Sequence, residues 1–222
     1  SIIRKLRKHG PYKRGLRSGN VVILFKRRQG ISRAMLNRLY NDLILTSKME
    51  LKVSLPSNPV IDELDSIESL ENRLKNFSDS ISFILVILEN ENDEDYYALK
   101  SLFNKYNIPS QMMTPKIIDY FYRSQTNKEI LGKYINMKRN LIVGTLGKAG
   151  IVPWILRDKL NADLYVGYDI GHGPTREQPN IAIFTFIDDR GTYISTGYVN
   201  LGSIRRLALD TIKLRSLQET FK

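Results

Sequence analysis

The sequence has 222 residues, with 34 Lys and Arg against 23 Asp and Glu, no cysteine, and a pI near 9.7. That length buries a full core in one large or two small domains, and a composition 42% hydrophobic and 26% charged excludes disorder throughout. The missing cysteines exclude a disulfide scaffold, a thiolate nucleophile and Cys-ligated zinc. His9 and His172 alone leave little for a His-rich metal site or a Ser-His triad. The apolar run Ile81 to Leu88 is too short to span a bilayer, and no apolar segment follows the basic N-terminus as in a signal peptide. A soluble, cytoplasmic chain with no membrane partner is therefore expected. The formal charge of +11 favours a polyanionic partner.

Along the chain the charge is uneven. Arg4, Lys5, Arg7, Lys8, Lys13, Arg14, Arg17, Lys26, Arg27, Arg28, Arg33, Arg38 and Lys48 are opposed before residue 51 by Asp42 and Glu50 alone. Two readings stand: a solvated basic face or arm, and a surface that tracks a phosphate backbone with salt-dependent affinity. Val21 to Phe25 reads as a short strand, and Ser32 caps a helix through Leu45. After the breaks at Pro56, Asn58 and Pro59, an acidic stretch from Ile61 to Phe77 reads as helix. A change of character falls there, so residues 1–77 are expected to form a basic linker and entry region.

From residue 78 the pattern is α/β. Ser80 to Glu89 reads as a buried strand of a parallel sheet. Leu99, Leu102, Phe103 and Tyr106 form the core stripe of the helix that follows. Ile108 to Met113 is a short strand, a helical region follows Pro115, a long helix runs from Asn127 to Lys148, and Gly150 stops it. Val152 to Leu156 reads as a further strand. The alternation predicts a Rossmann-like domain with a layered parallel sheet over 78–160. Beyond it, Leu164 to Ile170, Ile181 to Ile187 and Thr192 to Val199 read as strands, the last two joined by the turn Asp188 to Gly191. An amphipathic helix from Ser203 to Glu219 closes the sequence. Residues 161–222 thus resemble the opening of a larger domain, and the chain a fragment or one half of a split protein.

Two motifs are set aside. Gly144 to Lys148 lacks the spacing of a phosphate-binding loop, with Ala149 where a magnesium-binding hydroxyl belongs. Gly167, Gly171 and Gly173 do not make the dinucleotide fingerprint. A better constellation is Tyr96, Lys100, Gln111 and Lys148. Tyr96 and Lys100 are i, i+4 neighbours near a helix N-terminus, where a phosphate would meet an aromatic hydroxyl, an ammonium and free amides. Gln111 leaves a strand end, where ligands gather in open α/β sheets, and Asn140, Gly144 and Lys148 share one face of the long helix. The same residues also admit a structural reading, with Lys148 serving its helix terminus, Lys100 solvated and Tyr96 packed at the core edge. Asp169 alternates onto one strand face with Tyr165, Gly167 and Gly171. A carboxylate flanked by glycines suits a two-metal nuclease site; it equally suits a strand-end turn. His172 reads as a loop residue.

In order and spacing, Tyr96-x3-Lys100, Ile108-Pro-Ser-Gln111, Asn140 through Gly150, and Tyr165 through Gly171 resemble the Argonaute family, in the style of its prokaryotic members. The matching segment is the MID domain followed by the N-terminal part of the RNase H-like PIWI domain. The resemblance implies that Tyr96, Lys100, Gln111 and Lys148 hold the 5′-phosphate of a single-stranded guide DNA or RNA. It also implies that Tyr96 stacks on the first base, that Asn140 contacts the next phosphate, and that the loop from Asn90 to Asp95 inspects the first base. Gly144 stands where several members carry a polar or basic residue, leaving the second cation to a bound metal ion or another segment. Asp169 matches the first carboxylate of the PIWI tetrad, implying two-metal hydrolysis of a complementary target with Mg²⁺ or Mn²⁺. The other tetrad positions lie further along a PIWI domain than this sequence reaches, and Asp188, Asp189 and Asp210 are poor substitutes, so no cleavage is expected of this polypeptide alone. The remainder of the PIWI domain is an implied partner. The rival readings are a stand-alone RNase H-like nuclease and a small-molecule nucleotide-binding Rossmann domain.

Overall fold

A computed structural model describes residues 2–13, 15–26, 30–90, 93–171 and 180–202. The chain divides into two compact units, residues 1–154 and 155–222.

The first unit is built on a four-stranded parallel sheet in the order β2-β1-β3-β4, from Val60–Glu63, Asn20–Phe25, Ile81–Ile87 and Ser110–Met113. All seven residues of β3 are buried, because a central parallel strand carries helices on both faces. Alternation along β3 sends Phe83, Leu85 and Ile87 into one core and Ile84 and Val86 into another. The first core is closed by α2 (Arg33–Thr46), α5 (Lys116–Arg123) and α6 (Lys128–Lys148), the second by α3 (Ile67–Phe77) and α4 (Tyr96–Lys105). A further helix, α1 (Ile2–His9), puts Leu6 into the first core.

Short polar residues start three of these helices. Ser32, Ser66 and Asn127 accept the amides of Met35, Ser69, and Glu129 with Ile130, respectively. At the far end of α6, Gly150 takes φ +96° and the Ile151 amide donates to Leu146 O at 3.0 Å, which ends the helix as the sequence predicts.

Two strand assignments differ from the sequence reading. Residues 60–63 extend the sheet as β2, with the helix of this region beginning only at Ile67. The expected boundary at residue 78 therefore falls inside one continuous sheet, whose β1 and β2 come from the region read as a linker. In contrast, Val152 to Leu156 forms no strand: Val152 makes an isolated antiparallel bridge with Lys13, and Pro153 has no amide to extend it.

The second unit contains an antiparallel sheet of β5 (Leu164–Gly171), β6 (Asn180–Asp188) and β7 (Tyr193–Gly202). The turn between β6 and β7 is held by Asp188, which accepts the amides of Arg190 at 2.9 Å and Thr192 at 2.7 Å. The expected helix from Ser203 and residues His172 and Asp210 lie outside the described residues. Among those described, no helix is long and apolar enough to cross a membrane.

Candidate nucleic-acid interface

The C-terminal ends of β3 and β4 open onto a cavity of about 440 Å³. Parallel strands all expose their last residues at one edge, and the connections between them leave a crevice there. Tyr96 from the first turn of α4, Gln111 from β4 and Asn140 from α6 line it. Met112, Met113 and Met137 give it a soft apolar wall that sequence inspection did not single out. Tyr96 is half-buried, with its ring 5.1 Å from that of the exposed Tyr97 in a T-shaped pair. Asn140 is exposed at the rim.

Lys100 and Lys148 meet beside this cavity. The Lys100 ammonium donates to Ser110 O at 2.9 Å and to Ser110 Oγ at 3.1 Å. Lys148 donates to Gln111 Oε1 at 2.7 Å and reaches the same Ser110 carbonyl at 3.4 Å. The two ammonium groups thus converge from different helices on one backbone oxygen, and neither has a carboxylate partner among the described residues. Desolvation, assisted by the charge of Lys148, pushes Lys100 down to about 8. Lys148 is lowered as well: the residue as a whole is exposed, but its ammonium is tucked against the pocket wall. Crowding two cations is unfavourable, and either a bound anion or loss of the Lys100 proton relieves it.

The Gln111 amide is fixed by donating to Met112 O at 3.0 Å, so its oxygen faces Lys148. Gly144 lies one turn before Lys148, and a Cβ there would sit 3.7 Å from Gln111 Oε1, an ordinary contact. The acidic loop before α4 is locked by a residue that sequence reading did not assign. Asp93 is buried and accepts the amides of Glu89 at 2.8 Å and Asp95 at 3.0 Å. Lys26 bridges Asp93 and Asp95, both at 2.9 Å, tying the end of β1 to the start of α4. An Asp three residues before the first residue of a helix is the one local signal that could have shown this.

Other N-terminal cations are also committed to structure. Arg7 pairs with Glu50, Arg17 donates to Asn107 O and Ser78 O, and Arg33 faces Asp62. Arg4, Lys5, Lys8, Lys13, Arg38 and Lys48 are exposed.

In the second unit Asp169 is exposed near the end of β5, opposite Ile183, and its Oδ1 accepts the Ile170 amide at 2.9 Å. No group of three His, Cys, Asp or Glu side chains able to hold a metal occurs among the described residues. Asp188 is engaged by its turn and Asp189 by Lys159. These residues do not by themselves fit a pair of divalent ions. Beside Lys100 and Lys148 the nearby oxygens are already held by ammonium groups, so this donor set does not suit a divalent ion either.

The first unit is thus a parallel α/β layer with a cavity at its strand ends and two lysines beside it, and the second unit carries an antiparallel sheet. Residues 83–208 match the Piwi domain family, more than half of the sequence, and the chain belongs to that family. Among solved structures it is similar to Clostridium butyricum Argonaute bound to a guide DNA and a 19-mer target DNA. That match has 20% identity and a TM-score of 0.67, and covers 99% of this chain and 31% of that one. It is also similar to Drosophila Piwi, at 17% identity and TM-score 0.61, covering 98% and 29% of the two chains. Aquifex aeolicus Argonaute matches at 16% identity and TM-score 0.55, covering 100% and 32%. At these identities the likeness is one of fold, and it bears out the Argonaute resemblance read from the sequence. The chain spans about a third of the length of these structures. No curated protein sequence matches it.

Proposed function

We propose that this chain is the module of a nucleic-acid-guided Argonaute that binds the 5′-end of the guide strand. The observation that carries the reading is the convergence of Lys100 and Lys148 on Ser110 O without a carboxylate counter-ion among the described residues. A terminal phosphate supplies the missing charge, accepts from both ammonium groups and from Gln111, and leaves its nucleoside over the methionine-lined cavity. Tyr96 offers its ring to the first base, a contact that contributes roughly 1–3 kcal/mol and tolerates any base. Asn140, exposed at the rim, is the proposed contact for the following phosphate. The solvent-exposed cations of residues 4–48 add sequence-independent, salt-dependent affinity for the backbone. Guide and target strands are the proposed partners, and hydrolysis of the target is assigned to the complete protein, with Asp169 as one carboxylate of its site.

The test compares binding of oligonucleotides ending in a 5′-phosphate or a 5′-hydroxyl. The phosphate should bind at least about tenfold more tightly, as charge-assisted hydrogen bonds predict. Lys100→Ala and Lys148→Ala should each remove that preference while leaving salt-dependent backbone binding in place. Equal affinity for both ends, unchanged in the variants, would sink the assignment. A mononucleotide bound as tightly as the oligonucleotide would favour a small-molecule nucleotide site instead.

A further inference from the structure

One wall of the 440 Å³ cavity comes from a single short stretch of chain, with Leu88 and Asn90 just after β3 and Tyr96 at the start of α4. Asp93, between them, is the hub of that stretch, and its side chain is 1% exposed. Oδ2 accepts the Glu89 amide at 2.8 Å, and Oδ1 accepts the Asp95 amide at 3.0 Å and the Lys26 ammonium at 2.9 Å. The Asp93 backbone carbonyl accepts the Tyr96 amide at 3.0 Å. Leu88 and Asn90 flank Glu89, so each of the three lining residues either bonds to Asp93 or adjoins a residue that does.

Lys26 supplies what this acidic stretch cannot supply itself. It follows the last residue of β1, Phe25, which pairs with Ile87 at the end of β3, so sheet register brings the ammonium beside the loop. The ammonium bridges Asp93 and Asp95 at 2.9 Å each. Its removal would leave the buried Asp93 carboxylate beside a second carboxylate without that counter-charge, which favours opening of the loop. A wall held in its binding arrangement beforehand loses little conformational entropy when a ligand arrives.

We propose that Lys26 and Asp93 are positioning residues for the 5′-terminal nucleobase, holding Leu88, Asn90 and Tyr96 in the arrangement that receives it. This rests on the reading of the cavity as a guide 5′-end site. The pair has no part in holding the phosphate. Lys100, Gln111 and Lys148 meet around Ser110 on β4, and their hydrogen bonds there do not involve Asp93 or Lys26. Base affinity and phosphate affinity are thus separately supported, and a change at Lys26 acts on the first alone.

The test uses the 222-residue chain and three DNA oligonucleotides of one length. The first has a 5′-phosphate and adenine as its first base, the second the same phosphate on an abasic first nucleotide, and the third adenine with a 5′-hydroxyl. The first two carry equal charge, so their affinity ratio reports the base and is blind to the charge lost in a Lys26 variant. In the unaltered chain that ratio should be at least about fivefold, as stacking on an aromatic ring predicts. Lys26→Met should bring it to within about twofold of unity while keeping the preference for phosphate over hydroxyl, which also reports that the domain is folded. Lys26→Arg, which keeps the bridging charge, should retain most of the ratio. A base ratio unchanged in Lys26→Met overturns the proposal. So does a joint loss of base ratio and phosphate preference, since the pair would then support the whole domain and not the base. Absence of any phosphate preference in the unaltered chain would instead overturn the guide-end reading beneath it.

Discussion

The two units treat their functional groups and their apolar surface differently. In the first, β3 is buried along its whole length, and Lys100, Gln111 and Lys148 are brought from α4, β4 and α6 onto one point. In the second, Leu164, Val166 and Tyr168 of β5 are 49%, 47% and 42% exposed, and Asp169 belongs to no group of three metal-ligating side chains among the described residues. A sheet covered on both faces by helices fixes the side chains at its edge, because each supporting element is itself immobilised by packing. Among the described residues of the second unit, no second layer covers these β5 side chains. The first unit therefore brings its candidate residues together, and the second leaves Asp169 apart from any such group among the described residues.

The largest expected effect tests that difference in packing. Phe103→Ala, at a fully buried position, should destabilise the first unit by about 3–5 kcal/mol, whereas Tyr168→Ala should cost about 1 kcal/mol or less, both measured by urea denaturation. A comparable loss in both would erase the distinction.

Next is the pH dependence of the two-lysine pocket. Because Lys100 is depressed from 10.5 to about 8, it loses its charge in the folded protein before it does so in the unfolded chain. The unfolded state then holds more protons between those values, so this group adds stability as pH rises through 8 toward 10.5. Preference for a 5′-phosphate should fall over the same window, since the anion binds the protonated form. Titrations of stability and binding should move in opposite directions, and parallel curves would contradict the role given to Lys100.

A smaller effect is predicted for Gly144→Lys. The position has room for a Cβ beside Gln111, and an added cation should tighten binding of 5′-phosphorylated oligonucleotides a few fold. Helix propensity should also raise stability by up to about 1 kcal/mol, read from the thermal midpoint. Smallest of all, Asp169→Asn should leave stability within about 0.5 kcal/mol, because the residue is exposed and the amide oxygen still accepts from Ile170.

Most of the elements from residue 81 onward were legible locally. A seven-residue apolar run, a serine or asparagine before a periodic helix and a glycine after one act within a few residues, and β3, α4, β4, α6 and the β6–β7 hairpin follow them. The edge strand β2 was not legible. Its four residues lead directly into a helical pattern, and it becomes a strand only by pairing with β1, some forty residues earlier. Val152 to Leu156 failed in the opposite sense: strand-forming side chains found no ladder beyond the Lys13 bridge. The pocket residues were legible as types in a spaced motif, but Ser110 O as their meeting point was not, since a backbone carbonyl leaves no mark in sequence.

The sequence by itself determined the positive balance, the cysteine-free chemistry, the α/β alternation and the identity of the candidate contact residues, all of which depend on residue type or near-neighbour spacing. Tertiary structure decided which strands share the sheet and where the domain boundary falls. It also decided that two lysines 48 positions apart are crowded onto one oxygen. Strand order and convergence arise from burying apolar faces over long separations, and no local pattern encodes which distant surface will do the burying.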